Sequence, residues 1–336
     1  MSAPHAPNMP TAEAGARPPV PHKALTSAVA LLVPALVLAA TAIVAMSWAT
    51  ELPDPVASHF GSDGPDGFSS LASFVWTGVG IGASLAVLGW FIAAVLGRAA
   101  AARRTGVGTA VGGALFLAIS VLGTLDAQRG LADAAQTGDI NGVVLLCLVV
   151  GAVGGALAAL LIPGDRPQPT TDPVPSTAAR VPLAPQERAT WVQRVTGRSM
   201  IAVAGTLVVV AVITARVADS PVALAPLAVV LIVLLAHVQF TVTVDSRGLR
   251  VRSLLGFPRL TVPADEVLHA EEVSVSLLRE FGGWGYRVGA SGRVGIVVRQ
   301  GAALQVTRTG GRVYVVTVDD AATGAALLNT LTARTR

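Results

Sequence analysis

Six long apolar runs constrain this chain more than any other feature of it. They cover about Leu25–Ala49, Leu71–Leu96, Val107–Leu125, Val143–Ile162, Met200–Val217 and Val222–Val238. A helix needs roughly 20 mostly apolar residues to cross a bilayer, and these runs have that length. The last two are separated only by Ala218-Asp219-Ser220-Pro221, which leaves room for a tight helical hairpin and nothing else. Pro34 and Pro226 fall inside runs, where they kink a spanning helix rather than break it. Charged residues make up only 13% of the chain, too few for an ordinary soluble globule.

The polar segments orient the runs. Arg17 and Lys23 precede the first, Arg98, Arg103 and Arg104 follow the second, and Arg166, Arg180, Arg188, Arg194 and Arg198 follow the fourth. The alternate segments are acidic: Glu51, Asp54, Asp63 and Asp66, then Asp126, Asp133 and Asp139 against Arg129. Basic loops stay on the cytoplasmic side, so both termini are expected there and the two acidic loops outside. The first run is longer than a signal-peptide core and lacks a clean small-x-small site after it, so it is expected to stay as an anchor.

Residues 164–185 carry prolines at 167, 169, 173, 175, 182 and 185, which rules out helix and predicts an extended, disordered linker. Beyond Phe240 the periodicity changes. Leu249–Arg252, Leu304–Thr307 and Val313–Val318 alternate in the manner of half-buried strands, and glycines at 256, 289, 292, 301, 310 and 311 punctuate them. Roughly seven short strands are expected, then a helix over about 321–333 with Leu327 and Leu331 on one face. The expected fold is a membrane α-helical bundle of about six transmembrane helices plus a small cytoplasmic antiparallel β-barrel with a C-terminal helix. Its parts are a disordered cytoplasmic N-terminus (1–24), a four-helix module (25–163), a proline-rich linker (164–199), a transmembrane hairpin (200–239) and the β-rich domain (240–336).

Three glycine pairs, Gly78/Gly82, Gly108/Gly112 and Gly151/Gly155, have the small-xxx-small spacing that lets helix backbones approach. The spans hold almost no ionisable residue; Glu51, Arg216 and His237 sit at their ends, which disfavours a proton relay. Cys147 is the only cysteine and lies in an apolar run, so no disulfide or cysteine zinc site can form within the chain. Gly78-x-Gly80-x-Gly82 lies inside a span with no strand before it, so it is no dinucleotide site. No P-loop, HExxH or GxSxG motif occurs.

The candidate site is the first outward loop. His59, Asp63 and Asp66 offer imidazole and carboxylate groups that suit a divalent metal, but their spacing matches no established metal motif. A rigid ligand- or partner-contact loop is the preferred reading, with no metal. A second candidate is electrostatic. Residues 1–239 balance twelve basic against twelve acidic residues, whereas residues 240–336 hold twelve arginines and eight acids, so the whole net +4 lies at the C-terminus. Arg247, Arg250, Arg252 and Arg259 follow the sixth span closely and are expected to face the anionic inner leaflet. Trp284 and Tyr286, among glycines, are expected to plug the barrel rather than form a docking surface.

Two stretches carry resemblances. Leu52-Pro53-Asp54-Pro55-Val56-Ala57-Ser58-His59-Phe60, with Gly64-Pro65-Asp66-Gly67, resembles the signature of the bacterial domain-of-unknown-function 1648 family. That module also forms the N-terminal part of SdpI-like membrane proteins, some of them immunity and signalling partners of a secreted peptide toxin. The likeness runs from the N-terminus through the third span. The C-terminal part, with Phe281-Gly282-Gly283-Trp284-Gly285-Tyr286-Arg287, is similar to bacterial pleckstrin-homology-like domains that follow a two-helix hairpin in actinobacterial proteins. Neither resemblance implies catalytic residues or a cofactor. The expected function is a non-enzymatic sensor, immunity or scaffold component of the cell membrane, coupling an outward loop to a cytoplasmic domain. A transporter or permease accessory subunit is the alternative. The expected partners are the lipid bilayer and another membrane or envelope protein, not nucleic acid.

Overall fold

A computed structural model describes residues 19–61, 63–217, 224–289 and 291–336. The N-terminal segment 1–18, with Arg17, and the hairpin turn at 218–221 lie outside them. Helix α1 (Lys23–Ser47) leads into a hairpin of β1 (Val56–Gly61) and β2 (Gly64–Ser69), then α2 (Leu71–Ala94), α3 (Ala100–Asp126) and α4 (Asn141–Leu161). Strand β3 (Trp191–Thr196) precedes the hairpin of α5 (Arg198–Val217) and α6 (Ala225–Val238). Strands β4 (Gln239–Asp245), β5 (Gly248–Ser253), β6 (Arg259–Pro263) and β7 (Val267–Val275) follow. After them come α7 (Leu277–Phe281), β8 (Gly285–Val288), β9 (Val294–Val297), β10 (Gly301–Arg308), β11 (Arg312–Thr317) and α8 (Ala321–Arg334).

Among the described residues five helices, α1 to α5, are long and apolar enough to cross a membrane; α6 is apolar but has 14 residues. Large apolar side chains such as Leu36, Ile43, Trp76, Leu160 and Leu161 point outward, the pattern expected when the surroundings are lipid rather than water. Between helices the contacts are small. A Cβ on Gly155 would lie 2.7 Å from the carbonyl oxygen of Gly108, and one on Gly112 would lie 2.7 Å from that of Gly151. Two of the three expected glycine pairs thus form one seam between α3 and α4. The third pair divides its contacts, Gly78 meeting Val121 and Gly82 meeting Leu38.

Helix α3 begins at Ala100, earlier than the apolar run suggested, so Arg103 and Arg104 belong to its first turns and not to a loop. The residue before it, Ala99, packs into the core of the C-terminal domain.

That domain is built of two sheets, not the closed barrel expected. One has the order β3-β4-β5-β6 and is antiparallel throughout; the other has the order β7-β10-β11-β9-β8, with β9 and β11 parallel. A common core, including Phe240, Val251, Leu304, Val316 and Leu328, fills the space between the sheets and α8. The C-terminal helix is capped by Asp320, whose carboxylate accepts from the Thr323 N–H at 3.2 Å, and it buries Leu327 and Leu331 as its spacing requires. Buried Asn329 bonds the Ala270 N–H at 2.8 Å and the Ala270 and Ala179 carbonyls at 2.8 and 3.0 Å.

The proline-rich segment is extended, as its composition demands, but it is packed rather than disordered. Val174 is buried, the Thr170 N–H donates to Asp265 and Thr330 holds both backbone groups of Val181. Its last part is β3, whose Thr196 pairs with Gln239 and whose Trp191 pairs with Val244. Strand β3 runs into α5 and α6 runs into β4, so the helical hairpin continues as a two-strand ladder. The domain therefore starts at β3, some way before Phe240.

Candidate functional site

The loop between α1 and α2 folds into the β1–β2 hairpin, and the residues that carry its motif have local reasons. His59 and Asp66 face each other across the strands and pair through Nδ1 and Oδ1. Gly67 opposes His59, and a Cβ there would lie 2.8 Å from the His59 Cβ; a Cβ on Gly61 would lie 2.7 Å from the Asp66 carboxylate. The hairpin is pinned from below by Gln128 of the α3–α4 connection. This fully buried amide accepts from the Ala57 N–H at 2.7 Å and donates to the Ala57 and Thr124 carbonyls at 3.0 Å each. Beside it Arg129 donates to Glu51 at 2.7 Å and lies 4.6 Å above the Trp48 ring. His59, Asp63 and Asp66 are all exposed. Among the described residues no three His, Cys, Asp or Glu groups gather closely enough to hold a metal ion. An exposed pair such as His59–Asp66 contributes about 0–1 kcal/mol, so it holds the hairpin only weakly.

The opposite end of the bundle carries a site that the sequence did not reveal. Asp165, just past α4, accepts from the Ala100 N–H at 2.9 Å and from Arg103 at 3.1 Å, and its other oxygen lies 3.4 Å from Arg312 on β11. Arg312 reaches Glu266 at 3.3 Å, and Glu266 also pairs with Arg308. Five charged side chains thus run from the first turn of α3 into the sheet domain, four of them buried and Asp165 nearly so. Arg103 also donates to the carbonyls of Gly97, Arg98 and Pro163 at 2.9, 3.0 and 3.2 Å, and Arg104 donates to that of Ile162 at 3.0 Å. Cations at the carbonyl end of α4 and a carboxylate at the amide end of α3 both suit the helix dipoles. Nearby, burial pushes the phenols of Tyr286 and Tyr314 up and the Asp165 carboxylate adds to it, so both remain neutral hydroxyls. Arg98 adds a last tie, donating to the Ser291 carbonyl at 3.3 Å.

The four arginines after the sixth apolar run divide into two pairs. Arg247 and Arg250 lie toward the β4–β5 turn, where Arg250 pairs with Asp245. Arg252 and Arg259 stand directly opposite each other on β5 and β6, both exposed. The chain between them forms a tip with Leu254, Leu255 and Phe257 exposed to 61%, 56% and 76%. The Leu254 N–H donates to the carbonyl of Gln239, the residue directly after α6, at 2.9 Å. The tip therefore sits at the very end of α6. On another side of that helix end lies Gly285, where a Cβ would be 2.6 Å from His237. Tyr286 packs on the common core, and Trp284 is half-buried.

No local signal could have exposed the Asp165 cluster. Its members are scattered from position 103 to position 312, and each alone reads as an ordinary loop or strand charge. Comparison with protein-family models, with curated proteins and with solved structures found no match for the chain.

Proposed function

We propose that the chain is a non-enzymatic, multi-pass component of a bacterial cell membrane, with both termini cytoplasmic, that couples its outward hairpin to its C-terminal domain. The domain-of-unknown-function 1648 and pleckstrin-homology-like resemblances agree with a sensor, immunity or scaffold role of this kind. One observation carries the reading: the buried ion chain Arg103–Asp165–Arg312–Glu266–Arg308 fastens the bundle to the sheet domain. A domain meant to move independently would not bury charges in its joint, because desolvating each costs several kcal/mol unless it is paired. The same α3 that opens at this joint ends at Asp126, two residues before the Gln128 that pins the hairpin.

In this reading the β5–β6 tip rests in the inner leaflet interface. Leu254, Leu255 and Phe257 extend the apolar surface of α6, and Arg252 and Arg259 meet anionic headgroups at about 1 kcal/mol each. Arg247 lies farther off: a six-residue strand spans about 20 Å, beyond two Debye lengths at physiological salt.

Cysteine labelling tests the arrangement. In a Cys147→Ala background, a single cysteine at Asp133 is expected to react with an impermeant maleimide added to intact cells, and one at Thr177 only after the membrane is opened. Reaction at 177 in intact cells, or protection at 133, would place hairpin and domain on the wrong sides for coupling.

A further inference from the structure

Between the helical bundle and the sheet domain lies a cavity of about 260 Å³, lined by Pro21 and His22 before α1, Arg98 of the α2–α3 turn, Arg103 of α3, Asp165 and Arg166 after α4, and Arg312 of β11. Its charge is lopsided. Four guanidinium groups line it against one carboxylate, and that carboxylate is already shared between Arg103, Arg312 and the Ala100 N–H. Glu266 does not restore the balance, because it is matched by Arg308 as well as Arg312. The Nε atoms of Arg98 and Arg103 have no hydrogen-bond partner among the described residues, so each of these guanidinium groups keeps one unpaired donor. Arg103 and Arg312 are buried and held in place, whereas Arg166 is exposed. Fixed guanidinium groups in a partly desolvated recess, with a free one nearby, form a seat for a phosphate group, which arginine recognises through paired N–H donors.

We infer that this cavity binds a phosphate-bearing anion, and that the anion fastens the bundle to the domain as a third party to the ion chain. The chemistry is that of a phosphate monoester or diester, whether free or carried by an anionic phospholipid. Basic recesses at the cytoplasmic ends of helices are where lipid headgroups are held. Only the lipid source rests on the membrane orientation proposed above; the charge arithmetic does not.

The test uses the full chain in nanodiscs of phosphatidylcholine. Inorganic phosphate is titrated in, and in a second series phosphatidylglycerol is mixed into the discs and counted on the released protein by native mass spectrometry. Three proteins are compared: wild type, Arg98→Gln with Arg166→Gln, and Arg188→Gln with Arg279→Gln, which removes the same charge from exposed positions elsewhere. Loss of two charge-assisted contacts predicts at least about a tenfold weaker interaction for the first double variant and little change for the second. Arg166→Gln alone, which breaks no internal hydrogen bond, guards against a folding artefact and is expected to show a smaller loss in the same direction. Phosphate binding without lipid enrichment identifies a soluble ligand; lipid enrichment displaced by phosphate identifies a headgroup. The inference is overturned if wild type retains neither, or if the two double variants lose binding equally.

Discussion

Glu266→Ala is expected to destabilise the protein by about 3–5 kcal/mol, the range for removing one partner of a buried ion pair. Two guanidinium groups, Arg308 and Arg312, would be left buried with one carboxylate removed from each; Arg312 would keep Asp165 as its carboxylate partner, and Arg308 would keep none. The total stability of a domain is about 5–15 kcal/mol, so such a loss is a large share of it. The control is Asp319→Ala. Its pair with Arg299 is exposed and is worth about 0–1 kcal/mol. Denaturant unfolding of the full chain in detergent, followed by tryptophan emission from Trp191 against α8, separates the two. Equal, small losses would mean that the joint is hydrated and that the ion chain contributes no more than a surface pair.

Gly155→Val is expected to disrupt the bundle itself. The added Cβ would approach the Gly108 carbonyl oxygen to 2.7 Å, and a backbone atom cannot rotate aside as a side chain can. Overpacking of a fitted interior costs about 1–3 kcal/mol, and the upper end applies where backbone must move. Gly112→Val meets the Gly151 carbonyl at the same distance and belongs to the same seam, so the double variant should lose less than the sum of the singles. Gly80→Val is the matched control, since a Cβ there meets nothing within 4 Å. Resistance to unfolding in sodium dodecyl sulfate should fall for positions 112 and 155 and hold for position 80. A fall at position 80 of the same size would mean that valine in a glycine-rich helix, and not the seam, sets the loss.

What the sequence disclosed follows from the range of each signal. Apolar run length is local, so the helices were legible; the start of α3 was not, because Arg103 reads as a loop charge until its partners Pro163 and Asp165 are brought beside it. Proline content correctly predicted extended backbone at 164–185 but not its packing, which depends on distant groups such as Thr330 and Asp265. Strand β3 is not legible within the expected linker, because a six-residue edge strand has little pattern of its own and is defined by pairing with β4. Alternation identified strands beyond Phe240, but alternation cannot tell a closed barrel from two sheets sharing a core, since both bury every second residue. The pairing of His59 with Asp66 has a local cause, because the glycines that allow their approach lie within the same short stretch. The Asp165 cluster was invisible for the opposite reason: its contacts are made only by tertiary structure.

The central claim is that bundle and domain form one fastened unit, and a cross-link reads this directly. Arg98 of the α2–α3 turn contacts the Ser291 carbonyl of the domain at 3.3 Å, although 193 positions separate them. With cysteines at 98 and 291 in the Cys147→Ala chain, a short bifunctional thiol reagent applied to opened native membranes is expected to join them within the monomer. A pair at 194 and 241, opposite each other on β3 and β4, serves as the internal standard for reactivity. Cross-linking of 98 to 291 comparable with that standard, and lost in Glu266→Ala, is the predicted result. Efficient joining of 194 to 241 with none between 98 and 291 would show a domain hung on its linker and hairpin alone, and would contradict the account.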